Sequence, residues 1–173
     1  MKVRDAITLE MKKLGKMKKT VFLGENVVNS GRIYGTLNDV PISKCIEMPI
    51  AENLIAGTAI GLALAGWIPI CIFQRMDFTL IAADQIINHA ALLPKITGGR
   101  VVPFVIFRTI RAELTETFFV GHQHSKDFSH VFSPYLKTYQ IPDKDPKKVY
   151  EWIFQCRQPA LVVEDYARYN HTL

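Results

Sequence analysis

Cysteine is scarce in this chain of 173 residues: Cys45, Cys71 and Cys156 are three in number and far apart. An odd, dispersed set excludes a disulfide framework, and each lies in an apolar run, as expected of reduced core residues in a cytoplasmic protein. An apolar leader is missing too. Lys2 and Arg4 are followed by an amphipathic stretch, so no secretory signal is expected. Charge is sparse at 21%, and hydrophobic residues reach 49%, a balance that excludes disorder and suits one globular domain. The net charge of +5 raises nucleic acid as a partner. Its excess, however, sits in Lys12, Lys13, Lys16, Lys18 and Lys19, with no interleaved aromatics. That is the pattern of a solvated helix face, and no nucleic-acid partner is expected.

Residues 54–73 carry no charge, and the stretch has the length of a membrane span. Gly57 and Gly61 within it form a small-xxx-small pair of the kind that brings helices close. Gly66 and Pro69 divide the run into a helix and a short strand, each too short to cross a bilayer. No membrane association is expected, and the two glycines then mark close helix packing within the fold or across a subunit interface.

Val3, Ile7, Met11, Leu14 and Met17 recur at helical spacing, which predicts a helix over 3–18. Strands are predicted at 20–24, 44–48, 68–73, 101–107, 136–141 and 160–164, all short apolar runs. A turn-rich loop covers 25–42, and Glu52 opens the small-residue helix. Asp77 is expected to cap a helix ended by Pro94, and Asp145-Pro146 to start the last helix. Residues 108–134 read as a long loop and the final nine as a polar tail. Strands and helices alternate, and the strands have no polar face. The expected fold class is therefore α/β: three layers, α/β/α, around a mostly parallel six-stranded sheet. Ligands bind such sheets at the carboxyl ends of the strands. That rule singles out Pro49 to Glu52, Gln74 to Phe78 and the 108–134 loop.

Glu52 follows a strand end and leads a helix of Ala, Gly, Leu and Ile. A carboxylate so placed can share a proton with a ligand nitrogen, as a general acid/base does. It can equally be a helix-start acid favoured by the helix dipole. The residue pattern leaves both readings open. His122, His124 and His130 lack companions with metal-ligand spacing, so no metal site is expected. His122 and His130 read as surface residues, and His89 as a packed structural histidine.

Several stretches resemble a known family. They are Gly24-Glu25-Asn26-Val27, Pro49-Ile50-Ala51-Glu52, Gly57-Thr58-Ala59-Ile60-Gly61, Gly66-Trp67-Ile68-Pro69 and Asp77-Phe78. Further on come Asp84 to Ala91, His124-Ser125 and Pro159-Ala160-Leu161-Val162-Val163-Glu164. In order and spacing they resemble the amino-terminal domain of the β chain of 2-oxo acid dehydrogenase decarboxylases, within the transketolase-like pyrimidine-binding family.

The resemblance implies thiamine diphosphate as cofactor. It implies that Glu52 hydrogen-bonds a ring nitrogen of the aminopyrimidine and so helps to deprotonate the thiazolium carbon. Phe78 would stack on the pyrimidine, Ile50 and Gln74 would lie near it, and His124 would face the substrate carboxylate or the carbonyl intermediate. The family's Gly-Asp-Gly motif, which holds the diphosphate and its metal, is absent from these 173 residues. The expectation is a single pyrimidine-binding domain over 1–173, with no carboxy-terminal transketolase domain. It would work with a separate chain that supplies the diphosphate-binding domain and Mg2+, in a hetero-oligomer with a two-fold core. The reaction would be decarboxylation of a 2-oxo acid or acyl or ketol transfer, and the alternative is a non-catalytic scaffold or regulatory subunit. Local departures bear on the substrate: Ile72 stands where the family usually has an acid, Arg75 where an aromatic is common, and Asn26 where Asp is found. The 108–123 loop also lacks the family's glycines.

Overall fold

The computed structural model describes residues 1–29, 31–112 and 121–173. Six strands form one sheet: β1 (Thr20–Gly24), β2 (Cys45–Glu47), β3 (Ile68–Phe73), β4 (Ile106–Arg111), β5 (Lys137–Ile141) and β6 (Ala160–Asp165). Their order is β2-β1-β3-β4-β6-β5, and every pair is parallel. Each of β1, β3 and β6 is buried along its whole length. Such strands need cover on both faces, and they have it.

On one face the apolar stripe of α1 (Val3–Gly15), with Ile7 and Met11, packs beside α5 (Pro146–Cys156), with Val149 and Ile153. Asp145 caps α5 as expected, its carboxylate accepting from the Lys147 N–H at 2.9 Å. On the other face α2 (Glu52–Leu64) buries Ile55, Ala56, Ala59 and Ile60 against Cys71, Phe73 and Phe107. The expected three-layer α/β/α arrangement is therefore present.

Several expectations need correction. Strand four begins at Ile106, not Val101. Pro103 has no N–H to give a ladder, and the strand instead runs on through Arg108, Thr109 and Arg111, polar residues that the apolar-run criterion passes over. The helix expected from Asp77 is three short pieces: a 3-10 helix (Met76–Leu80), a π-helix (Gln85–Ala91) and α3 (Leu93–Ile96). Pro94 opens α3 rather than ending a helix, because a first-turn residue needs no N–H partner. Arg75, not Asp77, occupies the cap position of the first piece. His89 is exposed on the π-helix, 3.3 Å from Asp84.

The final residues are not a loose polar tail. Tyr169 is buried, and the backbone N–H groups of Val3 and Arg4 donate to the carbonyls of His171 and Tyr169. Part of the 108–134 region is ordered as the end of β4, a 3-10 turn (His122–His124) and α4 (Ser129–Phe132); residues 113–120 lie outside the described residues. Of the cysteines only Cys71 is fully buried, Cys45 is half-buried and Cys156 exposed; all three are free. Among the described residues no helix is long and apolar enough to cross a membrane.

Candidate functional site

The chain leaves β1 for β2 on one side and returns to β3 on the other. The strand order reverses there, and the carboxyl ends of β1 and β3 frame a crevice of the type that takes ligands in open α/β sheets. Gly24 closes β1 at φ +154, where a Cβ would lie 2.2 Å from the Ile72 carbonyl oxygen. Only glycine lets the two strands meet so closely at this edge.

The residues after Gly24 tie three strand ends together. Asn26 takes a positive φ of 57, a conformation asparagine tolerates. Its N–H and that of Val28 donate to the Glu47 carboxylate, at 2.5 and 2.7 Å. The Asn26 amide donates to Gln74 Oε1 at 2.8 Å, and Gln74 Nε2 donates to the Tyr34 hydroxyl at 3.4 Å.

Glu52 is the first residue of α2, so the helix dipole favours its charge. It is 6% exposed. Among the described residues its carboxylate accepts no hydrogen bond and joins no ion pair. Its oxygens are not among the side-chain atoms sealed from solvent, so this carboxylate is open to a group from outside the chain. Its charge is felt next door: burial, then repulsion from Glu52 and Glu47, pushes the Glu25 carboxyl above the usual carboxylate range.

A second cluster follows β3. The Phe78 ring meets the edge of His124 with centroids 5.3 Å apart. The Lys126 N–H donates to Asp77 at 3.4 Å. Burial raises the Asp77 carboxyl, against the lowering effect of backbone hydrogen bonds, His124 and Arg75. His122 and His130 are exposed, and among the described residues no group of His, Cys, Asp or Glu could hold a metal ion.

Thus the structure joins Gln74 to Asn26, Phe78 to His124, and Glu52 electrostatically to Glu25. Ile50 stands out into the open at 83% exposure. Glu25 and Tyr34 were not singled out as site residues by sequence reasoning. A polar residue directly after a buried strand end is the signal for Glu25. Tyr34, flanked by Gly31 and Gly35 in the sequence, carries no signal of its own.

Comparison with known proteins identifies the family and the fold. Residues 1–109 match the model of the transketolase pyrimidine-binding domain. The chain is 37% identical over 145 residues to the mitochondrial pyruvate dehydrogenase E1 component subunit beta of Caenorhabditis elegans, covering 80% of this chain and 40% of that protein. It is 31% identical over 176 residues to the human protein of that name, covering 97% and 48%. The chain therefore spans about half the length, or less, of these relatives. Its fold is similar to a split gene transketolase described as an inactive beta4 tetramer, with TM-score 0.73, 17% identity, and coverage of 100% of this chain and 53% of that one. A transketolase from Campylobacter jejuni also gives 0.73, at 15% identity, over 94% of this chain and 25% of its own.

Proposed function

Because the chain belongs to the family of transketolase-type pyrimidine-binding domains, we propose that it is the pyrimidine-binding subunit of a split thiamine-diphosphate-dependent enzyme. The substrate is a 2-oxo acid or ketose, undergoing decarboxylation or acyl or ketol transfer. The observation that carries the reading is Glu52: a nearly buried carboxylate, without a partner among the described residues, beside the switch crevice. A scaffold has no use for a largely buried carboxylate left without a partner.

The residues present fit the aminopyrimidine end of the cofactor. Glu52 holds a proton at a ring nitrogen, Phe78 offers a stacking face, and Gln74, fixed by Asn26 and Tyr34, presents its amide beside the ring. Ile50 adds an apolar contact from the open side. His124, set against Phe78, faces the substrate carboxylate or carbonyl. When bound, thiamine diphosphate supplies the carbon nucleophile and electron sink that these side chains lack.

The 173 residues lack the Gly-Asp-Gly motif that would hold the diphosphate and its Mg2+. We assign those to a partner chain in a hetero-oligomer. The outward side of α2 suits such a contact: Leu54, Gly61 and Leu64 are exposed, and among the described residues nothing beyond the adjoining helix backbone and chain neighbours lies within 4 Å of a Cβ at Gly61. The related split transketolase is likewise divided between genes, by its description. Hydrogen–deuterium exchange at the thiazolium carbon, followed by NMR in the reconstituted assembly, tests the proposal. Glu52→Gln exchanging as fast as the wild type would make Glu52 a helix-start acid and favour a scaffold.

A further inference from the structure

Arg75 is a cation with no anionic partner among the described residues. It lies two residues beyond the end of β3 and is 6% exposed. Its guanidinium rests on the ring of Tyr34 at 5.3 Å and that of Tyr166 at 6.0 Å. Among the described residues it makes no hydrogen bond and no ion pair, and Nη1 is wholly buried. Nε and Nη2, equally without partners, are not sealed off in that way. The nearby arginines differ: Arg108 is held by Glu164, and Arg111 by Asp127 and Asp165. Two ring faces offset only part of what a guanidinium loses on leaving water. Asp77 is close enough to feel Arg75 but lies outside ion-pair distance.

Tyr34 reaches Arg75 from a strained backbone. Gly31, Arg32, Ile33, Tyr34 and Gly35 all have positive φ, at 73, 46, 51, 55 and 82. They form one left-handed turn, closed by the Gly35 N–H on the Gly31 carbonyl at 2.6 Å. L-residues avoid this conformation. The Arg32 side chain holds it, donating to the carbonyls of Val27, Asn38 and Val40 at 3.2, 3.2 and 2.9 Å. Strain maintained at this expense clusters at binding sites. The 3-10 helix that Arg75 caps carries Phe78, whose N–H donates to the Arg75 carbonyl at 3.2 Å.

We propose that Arg75, framed by Tyr34 and Tyr166, recognises an anionic oxygen-bearing group (carboxylate, sulfonate or phosphonate) on the part of the substrate that the cofactor chemistry leaves untouched. A planar fork of unused donors matches two such oxygens at once. Assigning the anion to the substrate rests on the functional reading above; the anion site itself rests on Arg75 and its rings.

The purified chain can be tested without cofactor, so failure here is distinguishable from failure of the Glu52 reading. Thermal melts are run in chloride, malonate, methanesulfonate and methylphosphonate at constant ionic strength and neutral pH. At least one oxyanion is expected to raise the wild-type Tm saturably above chloride, as a ligand of the folded state does. Arg75→Met should lose that shift while melting no lower than wild type in chloride, and Arg75→Lys should keep a smaller shift. An equal shift in Arg75→Met would mean adventitious anions only and overturn the proposal. So would the absence of any shift, with Arg75 variants impaired only in assembly, since the anion would then belong to the partner chain. A large drop in Tm for Arg75→Met, rescued by Arg75→Lys in chloride, would make the residue structural and overturn it as well.

Discussion

Arg108 on β4 donates from Nε and Nη2 to the two carboxylate oxygens of Glu164 on the neighbouring β6, at 2.6 and 2.8 Å, with neither side chain exposed. The pair is a hub. Arg108 Nη2 also donates to the Thr36 hydroxyl at 2.7 Å, and the Tyr169 hydroxyl donates to Glu164 at 2.5 Å. It thereby fastens the 25–42 segment and the C-terminal residues to the sheet. Arg108→Met leaves a buried carboxylate unpaired and should destabilise the chain by roughly 3–5 kcal/mol, whereas removing both charges with apolar residues should recover much of that. Urea melts of the two single variants and the double variant measure this directly.

Stability should carry the signature of Glu25. Its carboxyl is raised above the ordinary value of 4.5, chiefly by burial and then by Glu52 and Glu47. The folded state therefore binds this proton more tightly than the unfolded state, and the group weakens folding as pH rises from 4.5 through the raised value. Glu25→Gln should be more stable than wild type at neutral pH, with the difference fading as the pH falls toward 4.5. Melts across that window would refute the assignment if the difference stayed constant.

Gly61 separates folding from assembly. Among the described residues nothing beyond the adjoining helix backbone and chain neighbours lies within 4 Å of a Cβ placed there, so Gly61→Leu should fold. In the assembly it should overpack the α2 contact by roughly 1–3 kcal/mol. Light scattering of the reconstituted complex reads the loss; an unchanged complex would move the interface elsewhere.

Cofactor chemistry should divide between two residues. Glu52→Gln should slow exchange at the thiazolium carbon by about two to four orders of magnitude, the usual contribution of a positioned acid/base. Phe78→Ala should instead weaken cofactor binding by roughly 1–3 kcal/mol, by analogy with base–aromatic stacking. Titration calorimetry of the assembly separates affinity from exchange. The 173-residue chain by itself should bind thiamine diphosphate weakly or not at all.

Apolar periodicity and punctuation are local properties, and what depends on them was legible in the residues. The α1 stripe of Val3, Ile7, Met11 and Leu14, the cap at Asp145, and the buried runs of β1, β3 and β6 follow from side-chain spacing and turn chemistry alone. The placement of Glu52 at the start of a helix is equally local. Where β4 begins and ends is not, because Arg108 can lie in a buried strand only when Glu164, 56 residues away, supplies its counter-charge. The broken 76–96 helix, the pinning of Tyr169 and the repulsion of Glu25 by Glu52 and Glu47 likewise depend on neighbours distant in the chain. Arg75 is the sharpest case. Its sequence position marks only a departure from the family, and its lack of a partner among the described residues exists only once folding has buried it between Tyr34 and Tyr166. Sequence determines which groups can pair, and the tertiary structure decides which buried charges find a partner and which do not.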